Sequence, residues 1–180
     1  IIWILIFSPL TGFAQIWGQD NGYNELIEEL KSPPAINIGS TLFIPAQDSD
    51  WKYKKGTSEA SNPTNLWRGL NFQEGQDWLR GKTPIGYGDN DDNTNLDDMR
   101  ETNSEFSKPY TSVYLRKSFM VKNEQIPSKL LLRVYIDDGA IIWINGIEVA
   151  RLYVDDDTGN YNDTAFSHEA SWESIIIGKS

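Results

Sequence analysis

Three groups of residues in this 180-residue chain have types and spacings that could do chemistry. The first is aromatic and polar: Tyr135 and Arg133 on one alternating run, then Trp143, Glu148 and Arg151 on the next. A sugar offers an apolar C–H face and a hydroxyl rim, so indole and phenol rings beside carboxylate and guanidinium groups make a platform for it. The competing reading makes Trp143 a second-layer core residue covered by the long stretch from Gly56 to Pro109, since a buried indole is the ordinary case.

The second group is acidic. Asp89, Asn90, Asp91 and Asp92 lie in one polar stretch, and Asp155 to Asp157 in another, with Asp155 and Asp157 as the paired candidates. Hard cations such as Ca²⁺ take about six to eight oxygen ligands, which carboxylates, amides and carbonyls supply. Neither stretch has the glycine and terminal glutamate of an EF-hand loop. The competing reading is a solvated acidic loop that favours solubility.

The third group is structural. Asp137-Asp138-Gly139 marks a corner, where Asp side chains bond neighbouring backbone N–H groups and glycine takes φ > 0. Asn145-Gly146 between apolar runs marks a type I′ hairpin, which needs φ > 0 at both central residues.

Other chemistries lack their residues. With no cysteine there is neither a disulfide framework nor a thiolate metal site. The one histidine, His168, sits in a polar loop with no serine in a nucleophile-elbow context, so Ser–His–Asp catalysis has no support. No two acidic residues fall on strand ends in a way that pairs them about 5–10 Å apart across a cleft, as glycoside hydrolysis requires. Lys and Arg number 16 against 26 Asp and Glu, a net charge of −10 that argues against tracking nucleic-acid phosphates.

The elements that must position these groups are strands. Leu130, Leu132, Val134 and Ile136 alternate with Leu131, Arg133, Tyr135 and Asp137, a half-buried strand. The hairpin follows, its two-residue loop placing Ile144 opposite Ile147 and Ile142 opposite Val149, with these four staked as core and Trp143 and Glu148 on the other face. Further strands are expected at Thr41–Ile44, Trp51–Lys54, Thr111–Val121 and within Ser174–Gly178. Between Gly56 and Pro109 the chain is loop-like, anchored by Trp67 and Trp78. Short strands, long polar loops and no helical period beyond the start give an all-β, antiparallel class.

Residues 1–14 read as the apolar and cleavage regions of an export signal, with cleavage after Ala14; the run falls short of the roughly 20 apolar residues of a membrane span. The competing reading is an anchor or a buried strand. Residues 15–40 form a leader with a short helix, capped by Asn24 and carrying Leu26, Ile27 and Leu30. Residues 41–180 form the module itself. Stopping just after an apolar segment suggests that a final strand is missing.

The succession IPAQDSDWKY, NLWRGLNF, DWLRGKTPIGYGD, YLRKSFMV and YIDDGAIIWINGIEVAR resembles the galactose-binding-domain-like jelly-roll modules of secreted bacterial multidomain proteins. The likeness runs from about Thr41 to the C-terminus. A weaker similarity, over YLRKSF and IIWINGIEVA, is to the sugar-binding jelly roll of family 2 glycoside hydrolases. The resemblance implies a β-sandwich, a place beside calcineurin-like phosphoesterase or glycoside hydrolase domains and a further strand after Ser174–Gly178; no cofactor is expected, and the resemblance adds weight to a structural Ca²⁺ without displacing the solvated-loop reading. The expectation is therefore an exported, non-catalytic accessory module. Its partner would be a glycan or cell-surface polymer, or a downstream domain of the same chain, and not nucleic acid. The alternatives are a spacer without ligand, or the N-terminal appendage of a hydrolase whose catalytic domain lies beyond Ser180.

Overall fold

The computed structural model describes residues 42–88, 91–99, 110–122, 129–157 and 159–178, and the backbone of 2–7. The described residues form strands β1 (Ile2–Phe7), β2 (Trp51–Lys55), β3 (Leu79–Gly81), β4 (Ile85–Gly86), β5 (Thr94–Asn95) and β6 (Val113–Ser118). They continue with β7 (Leu130–Ile136), β8 (Ala140–Ile144), β9 (Ile147–Leu152) and β10 (Ser171–Ile177). Two short 3₁₀ turns, Leu66–Arg68 and Asp97–Met99, are the other regular elements among the described residues. The chain is all-β there. The leader helix expected around Asn24–Leu30 falls outside the described residues, and so does Asp89.

The main sheet has the order β3-β2-β6-β1-β8-β9; β10 pairs with β7, and β4 with β5. Residue parity explains how the main sheet buries both faces. On one face Trp51, Tyr53, Val113, Leu115, Ala140 and Ile142 join Val134 and Ile136 of β7 in a single core. On the other, Tyr114, Ile141 and Trp143 pack with Ala60, Trp67, Trp78 and Val154. The run AIIWI of β8 therefore shows no apolar–polar alternation, as expected of a strand covered on two sides. Of the Gly56–Pro109 stretch, Ala60, Trp67 and Trp78 thus cover this second face, while Ile85 and Leu96 join the first core.

Backbone pairing of Ile2–Phe7 is parallel to β6 on one side and to β8 on the other. The flanking pairs β2–β6 and β8–β9 are antiparallel. An export leader removed after Ala14 and a strand at the centre of this sheet make opposite demands: without β1, β6 and β8 have no partner between them.

The hairpin forms as its sequence dictates. Asn145 has φ 51° and Gly146 φ 82°, the left-handed pair a type I′ turn requires. Ile144 faces Ile147 as expected, but the register shifts between Ile142 and Trp143, so Ile142 faces Ala150 and Val149 is left as the extra residue of a bulge. Of the four staked core positions, Ile142, Ile144 and Val149 reach the core. Ile147 does not: it is 70 % exposed at the tip, beyond the cover of the opposing strands. The segment from Leu42 to Ile44 is not a strand; the first strand of the described residues after it is β2, from Trp51.

At the β7–β8 corner, the carboxylate of Asp138 accepts a hydrogen bond from the backbone N–H of His168 at 3.2 Å. Gly139 is there for space, not for positive φ. A Cβ at this position would stand 2.8 Å from both Ala165 Cβ and the Leu152 carbonyl oxygen.

Candidate functional site

The structure separates the five residues of the expected sugar platform into two groups on different sheets. Trp143 is buried, 2 % exposed. Its ring meets Trp67 edge-on at 5.5 Å and 78°, and the Arg68 guanidinium lies 4.1 Å from its centroid. Burial lowers the pKa of Arg68, against the pull of Glu148. Trp67 also meets Tyr114 edge-on at 5.1 Å. Arg116 fastens the layer from below: Nε donates to Glu74 Oε1 at 2.8 Å and Nη1 to the carbonyl oxygen of Trp67. Burial, ahead of the carboxylate of Glu59 at 3.2 Å, pushes the phenol of Tyr114 upward. This face is a core, as the competing reading of Trp143 had it.

Glu148 and Arg151 form a two-pronged ion pair on β9, with Nε–Oε1 at 2.9 Å and Nη2–Oε2 at 3.0 Å. Arg151 Nη1 also donates to the carbonyl oxygen of Asp155 at 2.9 Å. These contacts staple the start of the acidic loop to the hairpin.

Arg133 and Tyr135 lie elsewhere, on the outer face of the β7–β10 pair. Register places Tyr135 opposite Trp172, Arg133 opposite Ser174, and Leu131 opposite Ile176. Side chains alternate across a strand, so these six share one face while Leu132, Val134 and Ile136 face the core. Tyr135 is 42 % exposed and its ring centroid lies 5.4 Å from that of Trp172. The Arg133 guanidinium stands 5.3 Å from the Trp172 centroid. At the far end Leu131 and Ile176 are both exposed. Two aromatic rings, a guanidinium and two aliphatic side chains thus share one face, on which Leu131, Tyr135 and Ile176 are exposed and Arg133 and Trp172 half-buried. Trp172 escaped the sequence reading, although stepping back from Ile176 by two and four residues gives Ser174 and Trp172 on one parity.

Polar atoms on the strip are unspent. Arg133 Nε and Nη2 and Ser174 Oγ are buried and have no hydrogen-bond partner among the described residues. Trp51 Nε1, Arg68 Nε and His168 Nδ1 are likewise orphaned, but each alone on its side chain.

His168 is not the free loop residue its setting suggests. It stacks on Tyr153 at 3.7 Å, and its Nε2 lies 3.6 Å from Glu173 Oε1, which also accepts from the Tyr153 hydroxyl at 2.8 Å.

The acidic candidates do not converge. Asp91, Asp155 and Asp157 are exposed, Asp92 is half-buried, and no group of three or more His, Cys, Asp or Glu could hold a metal ion among the described residues. The ordered acid of the second loop is Asp163, whose Oδ2 accepts the backbone N–H groups of Gly159 at 2.8 Å and Asn160 at 2.7 Å. No described helix is long and apolar enough to cross a membrane.

Comparison with family models, curated proteins and solved structures returned no match for this chain.

Proposed function

We propose that this chain is a non-catalytic accessory module of an exported protein, of galactose-binding-like jelly-roll type, that keeps Ile2–Phe7 as β1 and binds glycan through the outer face of β7 and β10. The observation that carries this reading is the half-exposed Tyr135–Trp172 ring pair with Arg133 beside it on a single strand face. Rings that lie on an open face give up water readily to the C–H face of a pyranose, and donors beside them meet the hydroxyl rim. The binding residues are then Arg133, Tyr135 and Trp172. Trp143, Glu148 and Arg151 serve the fold.

The burial of Trp143 under Trp67 and Arg68 favours a second reading, a spacer or docking domain that positions a neighbouring hydrolase domain and takes no ligand. Titration of the full chain with soluble polysaccharides, followed by tryptophan fluorescence and calorimetry, separates the two. A saturable signal lost in Y135A and W172A supports the glycan reading; no heat and no spectral change with any polysaccharide supports the spacer.

A further inference from the structure

We infer that the ligand of the β7–β10 face is an acidic glycan, bound through the carboxylate of a uronic acid residue; this rests on the glycan reading above. Nε and Nη2 are the two donors along one edge of a guanidinium plane, spaced to give two parallel hydrogen bonds to the two oxygens of a carboxylate. Both are unpartnered at Arg133 among the described residues, and the third orphan, Ser174 Oγ, belongs to the residue directly opposite in the ladder. The contact with Trp172 is to the ring, with Cζ 5.3 Å from its centroid, and takes neither Nε nor Nη2 as a hydrogen-bond donor.

A buried donor without an acceptor costs stability, and the cost is recovered when an acceptor arrives. Here two donors and a hydroxyl share one row of the strip, next to the aromatic pair. The Glu148–Arg151 pair shows the alternative, a guanidinium whose corresponding edge is already filled by a carboxylate of its own strand. Arg133 has no such acid. A uronate ring lying along Tyr135 and Trp172 brings its carboxylate to the row where Arg133 stands. A modest turn of the guanidinium, at the end of a flexible side chain, presents the free edge to it. A neutral sugar satisfies one donor with a hydroxyl and leaves the second unpaired.

The test uses the full chain in affinity electrophoresis through gels containing polygalacturonate, the same polymer fully methyl-esterified, or neutral galactan. The expected result is retardation by polygalacturonate with an apparent Kd about tenfold tighter than for the ester. R133K and R133Q should each abolish the preference, so that the acid polymer and the ester retard the variant equally. Their thermal midpoints show whether they fold, and two substitutions of different size and charge guard against one that does not. Equal retardation by acid and ester, abolished in W172A, overturns the carboxylate assignment and leaves glycan binding standing. No retardation by any of the three polymers overturns the glycan reading itself, and this inference with it.

Discussion

Trp67 stands edge-on to Trp143, ring centroids 5.5 Å apart and planes at 78°, and this contact joins the layer of Ala60, Trp67 and Trp78 to the central sheet. It converts the most conspicuous aromatic of the hairpin from a candidate binding residue into a fold residue. Both rings are almost fully buried, at 1 % and 2 % exposure. Truncating either leaves a cavity in a packed interior, so W67A and W143A should each cost about 3–5 kcal/mol in urea unfolding. A loss under about 1 kcal/mol would mean that the layer is not packed on the sheet.

At the hairpin tip, Gly146 holds φ 82°. A side chain there is strained by roughly 1–2 kcal/mol, so G146A should lower the urea midpoint by a corresponding amount with an unchanged slope. N145G keeps a turn-compatible residue and should be nearly neutral. Equal effects from the two would show that the turn is not type I′.

Acid should weaken the turn that Asp163 holds, and neutral pH should leave it intact. The backbone N–H groups of Gly159 and Asn160, ahead of an opposing effect of burial, hold the Asp163 carboxyl below its ordinary value of 3.8. A depressed folded-state pKa contributes stability that is whole above the unfolded value and is lost as pH falls through the folded one. The hydrogen bond from Lys54 acts in the same direction on Asp77. Urea midpoints should therefore be insensitive to these two groups from about pH 7 to 5 and fall below about pH 4. D163N should flatten part of that acid limb. An acid limb identical in D163N and the parent would show that Asp163 contributes nothing to it.

Strand β1 lies between β6 and β8 and pairs with both. Removing residues 1–14 should leave two inner edges unpaired, with loss of a cooperative thermal transition and a rise in aggregation. Full retention of the melting midpoint and of monomer in size-exclusion chromatography would show that the sheet closes without this segment.

Much of the fold was legible in the sequence because strand signals are local. Asn145-Gly146 gave the hairpin, and the alternation through Leu132, Val134 and Ile136 gave β7 with its core face. The bulge at Val149 was not legible, since nothing in VARL marks an extra residue until the facing strand imposes its register. Ile147 misled because an apolar residue beside a turn carries no mark of where the covering layer ends. For the site, parity placed Arg133 and Tyr135 together correctly, yet it grouped them with Trp143. Parity describes faces within one sheet, and the corner at Asp137–Gly139 sends β7 and β8 into different sheets. Trp172 lies 37 residues beyond Tyr135, and only the ladder between β7 and β10 brings the two rings together.

The most direct test of the account is calorimetric titration of the full chain with polygalacturonate, parent beside W172A and Y135A. Saturable binding by the parent and its loss in both variants is the expected result, with each variant still showing a cooperative melt. Binding that survives in both variants would contradict the account.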